Sequence, residues 1–291
     1  MPRTCEALKG SPMKSQDQTP PRSGAPAPDA PDAIARLMAD AVTAAGAIAL
    51  DMFRAGRLES WSKANDSPVT AADIAVDRFL KDRFTALAPD YGWLSEESVD
   101  SPDRLARSRV WVVDPIDGTR GFMAGGVDWA VSAALVENGR PVAAALFAPA
   151  SEELFVASVG AGATRNGVPL AVSDLTALAG ARISGPVASL DRLAQHAPIE
   201  RRPRVRSLAL RITRVATAEL DVALAAPNAH DWDIAAADLL VQEAGGLLSG
   251  LDGRPLTYNA TVPRHGALVC AGTALHPHIL AAARAGAGGA S

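Results

Sequence analysis

The run Arg109-Val110-Trp111-Val112-Val113-Asp114-Pro115-Ile116-Asp117-Gly118-Thr119-Arg120-Gly121-Phe122 is an apolar stretch of strand character that stops at two carboxylates, a glycine and a hydroxyl. Asp114 and Asp117 stand three apart around Pro115. The proline ring fixes its own φ and removes one donor, so a turn here holds both acids toward one point. Acids so placed repel unless a cation sits between them, and hard carboxylate oxygens suit Mg²⁺ or Mn²⁺ better than zinc, which favours His and Cys. Asp, Pro and Gly are also ordinary turn residues, so the run alone admits a plain strand-to-turn reading. Companion residues elsewhere in the chain decide between the two.

The 291 residues are 48% hydrophobic and 21% charged, enough to bury a sizeable core in one large domain or two lobes. A net charge of −4 gives no general attraction to nucleic acid or to an anionic membrane, so any phosphate recognition has to be local. Cys5 lies in a polar leader and Cys270 in an apolar run near the other end. Neither a disulfide framework nor a thiolate metal site follows from two such residues. No stretch is expected to supply the ~20 apolar residues of a membrane span, and the first thirty residues lack the apolar region of a secretory signal. Cytoplasmic residence is the expectation.

Residues 1–30, rich in Pro, Ser, Gln and Gly, cannot offset their ordering entropy and are expected to be disordered. From Asp32 the apolar residues Ile34, Leu37, Met38, Ala41, Val42, Ala45, Ile48, Ala49, Met52 and Phe53 recur at helical spacing, with Gly56 as the stop. Thr70-Ala71-Ala72-Asp73 has the form of a capping box ahead of a second helix through Ile74, Val76, Phe79, Leu80 and Phe84. Short strands are expected at Trp93-Leu94-Ser95, Val110 to Val113, Trp129 to Val136 and Val142 to Phe147, with hairpin turns at Asn138-Gly139 and Asn166-Gly167. Beyond about residue 180, shorter strands alternate with helices. One helix runs from Asp231 to Ala244 and closes on Gly245-Gly246, and a terminal helix follows from Leu275 to Arg284. This order predicts an α+β first lobe over 31–180, built on an antiparallel sheet and carrying the metal site, then an α/β second lobe over 181–285 and a tail at 286–291.

Five acids stand out by context: Asp73 and Asp233 at helix starts, Glu96 after a strand, and Asp114 and Asp117. Singly, each has an ordinary explanation, since acids are favoured in first helical turns. Jointly they fall in three separated motifs: Ser95-Glu96-Glu97-Ser98, Trp111 to Thr119, and Trp232-Asp233-Ile234-Ala235-Ala236 followed by Glu243-Ala244-Gly245-Gly246. In this order and spacing they resemble the signatures of the inositol monophosphatase superfamily over about residues 32–283.

The resemblance implies an α/β fold, an alternating αβαβα layered sandwich of the sugar phosphatase type that is often dimeric, so a homodimer is one expected assembly. It implies two or three Mg²⁺ ions, with Mn²⁺ as a substitute and Li⁺ as an inhibitor. Glu96, Asp114 and the backbone carbonyl of Ile116 would bind one ion, and Asp114, Asp117 and Asp233 a second. Two divalent ions about 4 Å apart neutralise a phosphate, ready a water and stabilise the leaving alkoxide of an in-line displacement. Asp73 matches the acid of the family's Val-Thr-Ala-x-Asp segment, and Thr119 the hydroxyl that partners it. Together they would orient and deprotonate the attacking water, while backbone N–H groups of Gly118 and Thr119 hold a phosphate oxygen. Lys63 resembles part of a loop carrying a metal-linked water network, and reads equally as a solvated loop lysine.

The substrate implied is a small phosphate ester, not a nucleic acid polymer. Arg120-Gly121-Phe122 resembles the basic-Gly-Phe of the 3′(2′),5′-bisphosphate nucleotidases more than the x-Asn-Phe of inositol phosphatases. Counting back from Asp233 without gaps places Ala226 where inositol phosphatases carry a hydroxyl-binding Glu. The same count aligns Ser207-Leu208-Ala209-Leu210-Arg211 with the nucleotidases' Gly-Ser-Ser-Leu-Lys. Arg211 then faces the substrate, where a guanidinium binds a second phosphate by paired hydrogen bonds. The expected activity is hydrolysis of 3′-phosphoadenosine 5′-phosphate to AMP and phosphate, followed by inositol-1-phosphate phosphatase and then histidinol-phosphatase. A catalytically silent phospholigand-binding protein on the same fold is the non-enzymatic alternative, disfavoured because an acid fills every expected ligand position.

Overall fold

Pro31 at the first helical position and an apolar face at helical spacing start helix α1 (Pro31–Ala55), and Gly56 stops it at φ 66° with its N–H on the Phe53 carbonyl. The computed structural model describes residues 30–56, 59–62 and 68–285. The expected leader and tail, and Lys63, lie outside the described residues. By length and hydropathy α1 is long and apolar enough to cross a membrane, contrary to the expectation that no stretch would be. It instead lays Ile34, Met38, Val42, Ala45 and Ala49 on a β-sheet as core. Full burial of each larger side chain is worth about 1.5–3 kcal/mol.

A two-stranded ribbon of β1 (Ser60–Ser62) and β2 (Pro68–Thr70) leads into α2 (Ala71–Leu87). Thr70 caps α2 as expected: its hydroxyl oxygen accepts from the Ala72 and Asp73 N–H groups, and Asp73 accepts from the Thr70 N–H at 2.8 Å. There follow β3 (Gly92–Ser95), β4 (Arg109–Asp117), the short helix α3 (Thr119–Met123), β5 (Ala130–Glu137), β6 (Arg140–Ala148), β7 (Glu153–Ser158), β8 (Gly162–Arg165) and β9 (Val168–Pro169). These strands form one seven-stranded sheet in chain order. It is antiparallel except at its edge, where β3 runs parallel to β4, a correction to the all-antiparallel expectation. Asn138-Gly139 and Asn166-Gly167 turn the hairpins β5–β6 and β8–β9, each with both residues at positive φ.

The second half builds β10 (Arg182–Ser184), α4 (Val187–Ala194), β11 (Glu200–Arg201), α5 (Leu208–Ala216), β12 (Val222–Ala225), α6 (Asp231–Glu243), β13 (Gly246–Gly250), β14 (Leu268–Gly272) and α7 (His276–Ala285). Its five-stranded sheet is mixed, in the order β11-β10-β12-β14-β13, parallel on the β11-β10-β12 side and antiparallel through β14 to β13. Helices α5 and α6 lie between the two sheets, α1 and α2 cover the outer face of the first, and α4 and α7 the outer face of the second. The result is the alternating αβαβα sandwich. It explains why β4 is apolar throughout: Val110 and Val112 face α5 and α6, while Trp111 and Val113 face α1 and α2.

Candidate active site

The carboxylate run is not a turn after a strand. β4 continues to Asp117, and its register against β5 slips by one residue between the Asp114–Ser132 and Asp117–Ala130 pairs. This β-bulge accommodates Pro115, which has no N–H for the ladder, and re-aims both acids. The chain reverses at Gly118, with φ at 97°. A Cβ there would stand 2.9 Å from the Asp128 carbonyl oxygen and 3.3 Å from the Ser207 backbone, so only glycine fits.

Three elements close on this bulge. Asp73 and Asp233 both occupy the third position of a helix, α2 and α6, and each accepts the N–H of its own N-cap residue, from Thr70 at 2.8 Å and from His230 at 2.7 Å. In Asp233 the ordinary capping role and a place on the cavity coincide, while Asp73 meets the site through Thr119. Glu96 follows β3, its N–H on the Val113 carbonyl. One carboxylate oxygen each from Glu96, Asp114 and Asp233 lie within 4.8 Å of one another. Asp117 is turned partly aside: its Oδ2 accepts the Ser207 hydroxyl at 2.5 Å and the Ala209 N–H at 2.6 Å, although it lines the same cavity. Thr119 Oγ1 stands 3.2 Å from Asp73 Oδ1 and 2.9 Å from the Ile116 carbonyl oxygen.

The electrostatics of the cluster are those of acids held close together against their mutual repulsion. Burial, and after it the charges of Glu96, Asp117 and Asp233, hold the Asp114 carboxyl well above the usual carboxylate range. Burial and Asp233 push Asp117 up to about 7 against the hydrogen bonds from Ser207 and Ala209. Burial also raises Asp73, opposed by the bonds from Thr70 and Thr119. Oxygen-only donors that resist ionising together fit a hard divalent cation, which would favour their charged forms.

The cavity over these acids measures about 540 Å³ and is lined by Glu96, Asp114, Asp117, Asp233, the Gly118-Thr119 turn and a basic wall of Arg120, Arg204 and Arg206. A contiguous cavity of about 590 Å³ adds Arg211, Ala226, His230 and Trp232. Arg211 is buried, its Nη1 on the Val205 carbonyl at 3.2 Å and its Nε without a partner. His230 and Trp232 stack, ring centroids 4.5 Å apart.

Three groups here were not anticipated. Arg204 and Arg206 stand in the run Arg201-Arg202-Pro203-Arg204-Val205-Arg206, whose charge density is its only sequence signal. Ser207 joins the N-cap of α5 to Asp117. Asp77, one turn beyond Asp73 on α2, accepts the hydroxyls of Ser95 at 2.5 Å and Ser98 at 2.6 Å, on either side of Glu96.

The model of the inositol monophosphatase family matches residues 31–286 of the chain. An inositol-1-monophosphatase of Rhizobium meliloti is 32% identical over 79% of this chain and 91% of its own length. A 3′-phosphoadenosine 5′-phosphate phosphatase of Mycobacterium leprae is 34% identical over 79% of this chain and 85% of its own. A histidinol-phosphatase of Mycobacterium tuberculosis is likewise 34% identical, over 77% and 88%. The crystal structure of extragenic suppressor protein suhB from Bartonella henselae superposes with a TM-score of 0.77 at 26% identity, covering 87% of this chain and 99% of that one.

Proposed function

The chain belongs to the inositol monophosphatase family and is a phosphoric monoester hydrolase, and from that premise we propose that its substrate is 3′-phosphoadenosine 5′-phosphate, cleaved at the 3′-phosphate with Mg²⁺. The observation that carries this reading is the pairing of an acid floor with a wall of arginines in one cavity. A phosphate over the acids leaves the guanidiniums to meet a second anionic group. The stacked His230 and Trp232 rings give a purine a flat surface beside that wall. Ala226, on the same cavity, has no acceptor for inositol hydroxyls, and the ammonium of histidinol phosphate would face like charge.

Glu96, Asp114, Asp117, Asp233 and the Ile116 carbonyl would hold the divalent ions. Such ions supply the positive charge that neutralises the phosphate and makes water a competent nucleophile near neutral pH. Asp73, its basicity raised by burial, accepts the Thr119 proton, which frees the Thr119 oxygen to accept a proton from the attacking water. Gly118 sets the reversal that brings the first N–H groups of α3 to the cavity, where they hold a phosphate oxygen. The proposed small anionic substrate is in keeping with a cytoplasmic enzyme.

Mg²⁺-dependent phosphate release from 3′-phosphoadenosine 5′-phosphate, inositol 1-phosphate and histidinol phosphate, compared as kcat/KM, tests this. The nucleotide is expected to lead. Preference for inositol 1-phosphate would overturn the substrate and keep the hydrolase.

A further inference from the structure

Arg104 belongs to a 3₁₀ turn, Pro102–Ala106, on the connection from β3 to β4 that begins with Glu96. Its guanidinium is buried, yet every N–H has a partner. Nε and Nη2 hold the Asp100 carboxylate at 2.7 and 2.9 Å, Nη1 donates to Asn259 Oδ1 at 2.6 Å, and both Nη atoms reach the Ala260 carbonyl at 3.1 Å. The Asn259 amide donates back to the Arg104 carbonyl at 3.3 Å. On its other side, the Asn259 backbone N–H donates to Asp231 Oδ2 at 2.6 Å, and Asp231 Oδ1 lies 2.7 Å from His265 Nε2.

Asp231 is the first residue of α6 and Asp233 the third. The helix does not need Asp231 as a cap, because Asp233 and His230 already form that box. Both oxygens of the buried Asp231 carboxylate are engaged by the segment 259–265 instead. Main-chain bonds join the same segment to the start of α6: His265 N–H to the Ala229 carbonyl at 2.7 Å, Asn228 N–H to the His265 carbonyl at 2.9 Å, and Asp231 N–H to the Pro263 carbonyl at 3.1 Å. A continuous chain of hydrogen bonds thus runs from the connection that starts at Glu96 to the helical turn that carries Asp233. Arg104, Asn259, Asp231 and His265 line neither the cavity over the acids nor its extension.

The cluster needs such a tie. Asp114 is held inside β4 by the ladder to β5, whereas Glu96 follows the last residue of β3 and Asp233 sits in the first turn of a helix. Carboxylates whose oxygens lie within 4.8 Å push one another apart, and a shift of either element would relieve that repulsion. A divalent ion tolerates errors of only about 0.2 Å in its ligand distances. We propose that these four residues form a clasp that sets Asp233 against Glu96, with Asn259 as a positioning residue for divalent-cation affinity. This rests on the metal-dependent phosphatase reading above.

Asn259 has φ 60°, which glycine adopts freely and aspartate tolerates. Asn259→Gly keeps the N–H that Asp231 accepts, deletes the side-chain link to Arg104 and loosens the segment, while Asn259→Asp keeps an acceptor for Arg104. Mg²⁺ titration by calorimetry without substrate should show Asn259→Gly binding about tenfold more weakly than wild type, and Asn259→Asp recovering most of that loss. Phosphate release by Asn259→Gly should need correspondingly more Mg²⁺ and approach the wild-type kcat once Mg²⁺ saturates, since no ligand oxygen has been removed. His265→Ala breaks the far end of the clasp and carries the same expectation, so the test survives if Asn259→Gly does not fold. Mg²⁺ isotherms unchanged from wild type, even with a lower Tm in chelator, would reduce the four residues to packing and overturn the clasp while the phosphatase reading stands. A wild type that binds no Mg²⁺ would bring down the reading and the clasp together.

Discussion

On the floor of the cavity, Asp114, Asp117 and Asp233 each accept at least one backbone N–H, from Ile116, Ala209 and His230, and so does Asp73 behind Thr119, from Thr70. Along its wall, Arg120 and Arg204 are exposed, and no ion pair among the described residues holds either of them. The floor is fixed before any ligand arrives. Its donors orient the acids but do not cancel their mutual repulsion, which leaves a standing demand for cations. The wall is fixed only where Arg211 is buried and Ser207 is tied to Asp117. On the proposed function, reaction type is thus a property of the packed interior, and substrate choice a property of side chains whose replacement costs the fold little.

The strongest way to break the contrast is Asp114→Asn. Turnover should fall by about 10³-fold or more, as when a charge-stabilising group is lost. The same change removes a carboxyl that burial and its neighbours disfavour as an anion, so the Tm of the metal-free protein at pH 8 should rise, read by calorimetry in chelator. A floor variant that kept its activity would dissolve the distinction.

Asp77→Asn probes how the floor is held. It weakens the clamp on Ser95 and Ser98 around Glu96 without touching the acid cluster itself. Loss of such outer support costs about 10–100-fold in metal affinity. Mg²⁺ titration by calorimetry without substrate should show that weakening, and an unchanged isotherm would reduce Asp77 to ordinary helix packing.

The smallest effect is expected at Asp238, a buried carboxyl on α6 that accepts the Tyr258 hydroxyl at 2.7 Å and takes no part in the cavity. Burial raises it to about 6. Between about pH 4 and 6 the folded chain holds this proton while the unfolded chain releases it, so this group's contribution to stability declines as pH rises through that window and is level above it. Asp238→Asn should therefore gain Tm relative to wild type across pH 4 to 6, with no further gain by pH 8.

Much of this architecture was legible locally. Pro31 and Gly56 bracket α1, Thr70 and Asp73 announce α2, and the Asn-Gly pairs locate two hairpins. What escaped notice depends on distant partners. The bulge at Pro115 reads as a turn until β5 shows the ladder continuing past it. β7 and β8 lack the sustained apolar run of β4, and they are strands because β6 offers an edge to β7, and β7 in turn to β8. In the site, the five acids were readable because each sits beside a local signal, a cap, a strand end or a proline. The Ser207–Asp117 bond spans 90 residues, and Arg204 has no local signature beyond its charge. Both required the fold.

Helix α6 packs on both sheets and delivers Asp233 to a cluster whose other members come from the first half of the chain. On a ribosome, the strand bearing Asp114 and Asp117 emerges long before α6 exists, so the nascent chain carries a set of mutually repelling acids short of one member. The acid cluster is completed only when the second sheet can receive that helix, which makes competence a late event of synthesis rather than one acquired piecemeal.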